Sequence, residues 1–314
     1  MQMQFSAFVA ASLLLLSGCK KDADLLECNL PVKPTKNPAS FTTEYSIATQ
    51  TFSFDATQLQ TLTTSAGASV RVPANTFQLP SGVPVSGTIE LRVREIYTPG
   101  EMVLADMPTV AWSGSFLESD GEIRLTAWQN NALLRLRKGS ALIVSTPVPA
   151  VNQSSPNTAT PMSLRTLTDS GNTRSWIPDS TRILTSTLTP QQPLYRFPVW
   201  RDSLGWYNVD RLWQLSPSSP RTTVKISTGA QTTTTRVYLV CRPRNATLPV
   251  YLNNQEWTLS GVPEGLEFTT VVLQLRDDQL YYGSQRAVVS ASFRFALALE
   301  ALNPEEIARR IRLL

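Results

Sequence analysis

Alternation with a period of two constrains this chain more than any other feature. Ile89, Leu91 and Val93 are interleaved with Glu90, Arg92 and Arg94, and Leu134 and Leu136 with Arg135 and Arg137. Successive side chains of a strand point to opposite faces, so such runs place one face in a core and the other in water. Later in the chain the pattern returns at Val224 and Ile226, at Val237, Leu239 and Cys241, at Val271, Leu273 and Leu275, and at Phe293, Phe295, Leu297 and Leu299. Ser81-Gly82, Asp120-Gly121 and Lys138-Gly139 read as turns between the first strands, and Arg276-Asp277-Asp278-Gln279 as the turn of a hairpin among the later ones. Proline occurs 22 times, and Ser and Thr are abundant, which disfavours helix. The expected fold class is therefore all-β: two β-sandwich-like domains joined by a Ser/Thr/Pro-rich connection, with a short C-terminal helix.

The composition shifts place the expected boundaries. Residues 45–149 form the first sandwich, 150–215 a linker ending in a Trp-rich joint, 216–303 the second β domain and 304–314 the helix. Asn303 is a candidate N-cap, Pro304 suits the first helical position, and Glu305-Glu306 suit the first turn. Ile307, Ile311 and Leu314 then share one face.

Residues 5–16 carry no charge, a run too short to span a bilayer as a helix but of the length of a secretion signal core. It ends in Leu16-Ser17-Gly18-Cys19, which resembles the lipobox of bacterial lipoproteins. The resemblance implies a signal peptide at 1–18, a mature chain starting at Cys19, and acyl chains on that residue. Each chain contributes about 0.8 kcal/mol per buried methylene, so two or three hold firmly. Residues 19–44, with Pro31, Pro34 and Pro38, read as a flexible tether. The expected partner is the membrane, through lipid on Cys19. The expected location is the cell envelope, as an outer-membrane lipoprotein. Lys20-Lys21-Asp22-Ala23-Asp24 is loosely similar to surface-export signals, which favours display at the surface.

Two further stretches carry a resemblance. Gly67-Ala68-Ser69-Val70-Arg71-Val72-Pro73-Ala74-Asn75-Thr76-Phe77, then Gly87-Thr88-Ile89-Glu90-Leu91, the Gly121 turn and a strand ending at Thr146-Pro147 are similar to the ZU-type β-sandwich of zonula occludens and netrin-receptor proteins, as it recurs in envelope lipoproteins of the Bacteroidetes. Gly205-Trp206-Tyr207-Asn208-Val209-Asp210-Arg211 resembles a segment of the same lipoprotein group and implies no catalytic role. Some ZU-type relatives cut themselves at a His-Phe-Ser site, and that chemistry does not carry over to a chain without histidine.

The lack of histidine also removes Ser-His-Asp and Cys-His nucleophiles and the usual zinc sites. No catalytic residue, cofactor or metal is expected. Asp277-Asp278 are neighbours rather than carboxylates facing each other across a cleft. The net charge of +4 is spread among interleaved acids and bases, which argues against a nucleic-acid partner. Cys28 and Cys241 are free to pair or to stay apart.

The densest aromatic group is Trp200, Trp206, Tyr207 and Trp213, with Asp210 and Arg211 among them. It is a candidate ligand or interdomain surface. The preferred assignment is a seam between the two β domains with Asp210 and Arg211 ordering a turn; the alternative is a platform on which sugar rings stack. Asp179-Ser180-Thr181 and Asp202-Ser203-Leu204 resemble O-glycan acceptors of the same envelopes, and also suit Asx or Ser turns. The function expected is that of a lipid-anchored, non-enzymatic envelope protein presenting β domains to an envelope protein or glycan. A carbohydrate-binding surface lipoprotein in polysaccharide uptake is the alternative.

Overall fold

A computed structural model describes residues 38–149, 161–169, 174–188, 193–200, 204–229 and 234–314. Over these residues the chain is mostly β, with several sheets and a short C-terminal helix. Strands are numbered along the chain. A seven-stranded sheet runs in the order β1 (Gln50–Asp55), β5 (Thr88–Ile96), β6 (Leu117–Gln129), β14 (Trp206–Leu212), β10 (Ser163–Asp169) and β11 (Arg174–Pro178), with β7 (Ala132–Leu133) attached to β6. A five-stranded sheet runs β12 (Thr185–Leu188), β13 (Pro193–Trp200), β9 (Ala141–Pro147), β3 (Ser69–Val72) and β2 (Gln60–Thr63). β4 (Phe77–Gln78) and β8 (Arg135–Leu136) make a separate pair.

The seven- and five-stranded sheets share one core in a β-sandwich-like arrangement. Ile89, Leu91 and Val93 enter it from β5, Ile123 and Leu125 from β6, and Leu142 and Val144 from β9. The alternate residues of β5 face out, and Glu90 and Arg92 pair there at 2.8 Å, half exposed, where such a pair adds little stability.

The expected linker at 150–215 is corrected by the strands it supplies. β10, β11 and β14 complete the seven-stranded sheet, and β12 and β13 the five-stranded one. Leu164, Trp176, Phe197 and Val199 of this stretch are buried at 3%, 0%, 0% and 0% exposure. Its Thr-rich composition fits a half-buried pleated surface as well as it fits a loop. Pro198 is tolerated in β13 because β12 pairs with that strand only as far as Arg196, leaving an open edge where no amide proton is required.

An eight-stranded sheet follows the order β21 (Arg294–Ala296), β15 (Arg221–Ser227), β18 (Glu256–Pro263), β17 (Ala246–Asn253), β16 (Thr235–Cys241), β19 (Glu267–Arg276), β20 (Gln279–Val288) and β22 (Glu300–Ala301). β17 turns a corner, pairing with β16 through Val250 and with β18 from Tyr251 onward. Val224, Ile226, Leu239, Cys241 and Val272 fill the core on one face. The hairpin at Asp277-Asp278 forms as expected, both residues having positive φ (47° and 60°), as a two-residue type I′ turn requires.

β16 and β19 are buried on both faces rather than one. Tyr238, Val240, Val271 and Leu273 point to a second core, covered by helices α1 (Pro38–Glu44), α2 (Pro99–Ala105) and α3 (Pro304–Arg312). α1 corrects the end of the expected tether, because Phe41 is fully buried in this core. The remainder of the signal and tether, with Cys19 and Cys28, lies outside the described residues, as do Asp202 and Ser203 of the second acceptor motif. α2 is capped by a reciprocal Thr98–Glu101 box. α3 begins as expected, with Asn303 accepting from the Glu306 amide at 2.8 Å and Ile307 and Ile311 buried. The two helices touch at Gly100, where any β-carbon would run into the Ile311 carbonyl oxygen.

Candidate functional site

The Trp-rich segment is a central strand. β14 lies between β6 and β10, and alternation sends Tyr207 and Val209 into the sandwich core while Trp206 packs on the opposite side of the sheet with Trp176. Asp210 and Arg211 are therefore not a turn pair. Asp210 accepts from Arg165 Nε at 2.5 Å, and Arg211 bonds to Glu118, whose other oxygen takes Arg244 at 3.2 Å. Trp213 leaves the group altogether: it is buried in the core of the eight-stranded sheet, with Phe116 and Phe268 ring centroids at 5.4 and 6.2 Å. Trp200 ends β13, partly exposed, and its carbonyl accepts from Arg182 at 3.0 Å.

The pairing around β14 rests on a bulge. Ser119 sits opposite Asp210 and Gly121 opposite Val209, so Asp120 is the extra residue of β6. This corrects the turn expected at Asp120-Gly121, which lies inside a thirteen-residue strand. Gly121 has φ +136°, and a β-carbon there would come within 2.6 Å of the Tyr97 ring. The buried polar residues of the bulge are tied down from several elements. Tyr195 donates to Asp120 at 2.5 Å, Ser119 donates to Asn208 at 2.6 Å, and Asn245 donates to the Ser119 carbonyl at 2.7 Å.

Glu122, opposite Asn208 and fully buried, has no hydrogen bond to either carboxyl oxygen among the described residues. Burial pushes its carboxyl well above the usual range, and Asp210 adds to the push. Burial also raises Asp210, to about 7, against the pull of Arg165. Burial thus favours the protonated form of Glu122, while the charged guanidinium of Arg165 holds back the same shift at Asp210. A carboxyl whose folded pKa lies above its unfolded value of about 4.3 loses stability as pH rises through that interval. Glu122→Gln should therefore unfold like the wild type at pH 4 and gain on it as the pH rises above the unfolded value of about 4.3. Thermal melts across that range check the expectation, and parallel curves would refute the proton assignment.

A cleft of about 490 Å³ opens where β10 and β14 part. Their pairing ends at Thr166 and Tyr207; beyond it Leu167 pairs with Trp176 of β11, and Trp206 with Arg124 of β6. Thr166 and Leu167 line one side, Leu204 to Tyr207 the other, and the β11–β12 connection from Pro178 to Arg182 the rim. Asp179 and Arg182 form an ion pair with side chains only 7% and 5% exposed. Asp179 Oδ1 accepts from the Thr181 amide at 3.0 Å and its hydroxyl at 2.7 Å, the Asx turn that Asp179-Ser180-Thr181 suited. The Arg182 guanidinium lies 5.1 Å from the Tyr207 ring centroid. Of the six aromatic and charged residues singled out from the sequence, Trp206 and Tyr207 line this cleft. Arg182 is the lining residue that the sequence did not single out, and Asp179 stood out only for an acceptor motif or an Asx turn, not as part of a cleft.

Cys241 is a buried free thiol, raised by burial to about 11. Among the described residues no group of three acidic or thiol side chains is placed to hold a metal ion, and no helix is long and apolar enough to cross a membrane. No family profile, curated protein or solved structure matches the chain.

Proposed function

We propose that this chain is a lipid-anchored cell-envelope protein that acts by binding rather than by catalysis. The observation that carries the proposal is the cleft at the parting of β10 and β14, whose described lining has two aromatic residues, several hydroxyls and a carboxylate, Asp179, held by Arg182 and by the amide and hydroxyl of Thr181. The apolar run ending at Cys19 supports the anchor. In this proposal the seven- and five-stranded sheets are one sandwich-like domain of ZU type, and the eight-stranded sheet with its helices is a second. The two are clamped by Glu118–Arg244 and Asn245–Ser119 contacts instead of being strung on a linker. The protein stands on the outer membrane and presents the cleft to an envelope component.

Cys19→Ala tests the anchor. Fatty-acid labelling should mark the wild type and leave the variant unlabelled, as an uncleaved or soluble species. Label that survives the substitution would refute the assignment.

A further inference from the structure

We infer that the open outer face of the seven-stranded sheet, centred on Arg94 and Arg124, is a second binding surface and that it takes an acidic saccharide chain. The inference goes beyond the cleft proposed above and does not depend on it. In β5, and in β6 beyond its bulge, alternate side chains fill the sandwich core and the others share the opposite face. One end of that face is covered, where Ile96, Leu117 and Trp176 pack together. Further along, half-buried Arg94 stands directly opposite exposed Arg124 in the β5–β6 ladder, and Trp206 stands opposite Arg124 on its other side. Arg94 donates Nε to the Ile47 carbonyl at 2.8 Å, Arg124 lies 6.0 Å from the Trp206 ring centroid, and neither has a carboxylate partner among the described residues. Like charges placed opposite each other on two strands destabilise a sheet. Arg174 adds to the crowding: burial, and then the charges of Arg124 and Arg174, pull the Arg94 guanidinium below its ordinary value. A bound anion would offset this repulsion, and guanidiniums are the side chains that hold a carboxylate most firmly.

A second arginine on an indole continues the strip. Arg92, whose exposed pair with Glu90 is weak, lies 5.1 Å from the Trp128 ring centroid. Trp128 and Arg124 are four residues apart on β6, about 13 Å at 3.3 Å per residue. Cationic points at that spacing suit a chain with repeated negative groups, which engages both at once, better than a single small anion. The rest of the ligand follows from what lies between them. Thr51 is opposite Arg92 on β1, Ser53 opposite Glu90, and Thr126 opposite Arg92 on β6. A protein or bilayer partner would need an apolar centre to bury, and the large aliphatic side chain exposed here is Leu133, at the far end beside Trp128. A uronic-acid chain instead brings carboxylates to the guanidiniums and hydroxyls to the threonines and serine. The indoles hold Arg92 and Arg124 in place before any ligand arrives, so little ordering is required on binding.

Calorimetric titration of the purified full chain with oligomers of galacturonate, glucuronate and mannuronate tests the inference, with neutral hexose oligomers and phosphatidylglycerol vesicles alongside. At least one uronate oligomer should bind, more weakly as salt is raised, and its neutral counterpart should not. Arg124→Glu should weaken that binding about tenfold or more while leaving the thermal midpoint unchanged or higher, because a carboxylate then faces Arg94. Arg221→Glu makes the same change of net charge at an exposed position of the eight-stranded sheet and should bind like the wild type. Arg124→Gln serves if Arg124→Glu folds poorly, with a smaller loss in the same direction. No uronate binding, equal binding of neutral chains, capture of the vesicles alone, binding that survives both Arg124 substitutions, or an equal loss with Arg221→Glu would overturn the inference.

Discussion

Asp210→Asn should destabilise the fold by about 3–5 kcal/mol, measured as a shift of the urea unfolding midpoint. Arg165 is 6% exposed, and its guanidinium points at Asp210 over 2.5 Å. An asparagine keeps the shape and removes the charge, so a guanidinium is left buried and uncompensated. Relief of the repulsion between Asp210 and Glu122 works in the opposite direction and is the smaller effect, because burial favours the protonated form of Glu122. Removing both charges with Arg165→Met and Asp210→Leu should recover most of the loss, because an apolar pair of similar volume needs no counter-ion. If Asp210→Asn alone proves neutral, the strand pairing of β10 with β14 does not depend on this ion pair.

Trp176→Ala should be comparably severe, about 3–5 kcal/mol. Trp176 is fully buried among Ile96, Met102, Met107, Ala111 and Leu117, and its indole N–H donates to the Pro108 carbonyl at 2.9 Å. Truncation opens a cavity and leaves that carbonyl unpaired. The ring ties β11 to the segment that leads from α2 into β6, and α2 in turn packs under the eight-stranded sheet. It therefore performs the joining role that the sequence suggested for Trp206, which is only partly buried. Equal losses of stability for Trp176→Ala and Trp206→Ala would contradict this division of roles.

Where burial follows from neighbours in sequence, the fold was legible. The alternation in β5, the Asp277-Asp278 hairpin and the Asn303-Pro304 helix start are local signals, and each names its own structure. The capping box of α2, Thr98 to Glu101, was equally local and went unread. Residues 163–212 were hidden for a physical reason. Trp176 and Ile177 are flanked by Arg174, Ser175, Pro178 and Asp179, so the composition is that of a loop, and only pairing with distant strands makes a strand of it. The bulge was hidden by its own glycine. Asp-Gly is a strong turn signal, and the partners that make burial of Glu118 and Asp210 tolerable come from β10, β14 and the turn at Arg242–Arg244. Half of the cleft was visible as Trp206 and Tyr207. The other half depends on Arg182, paired with Asp179, being folded over the Tyr207 ring, which no short-range pattern states.

The position of β14 has a consequence for how this protein comes into being. Of the seven strands in its sheet it is the last to leave the ribosome, yet it belongs in the middle, between β6 and β10. Until residues 206–212 arrive, both neighbours carry a row of unmatched amides and carbonyls, the kind of open edge on which another chain can grow. Closing the sheet then joins segments far apart in sequence, which is slow even when the final state is stable. The hazardous interval for this molecule is thus the nascent one. A variant that weakens β14 should be recognised first by aggregates formed during synthesis, before any change in the melting of the finished protein is seen.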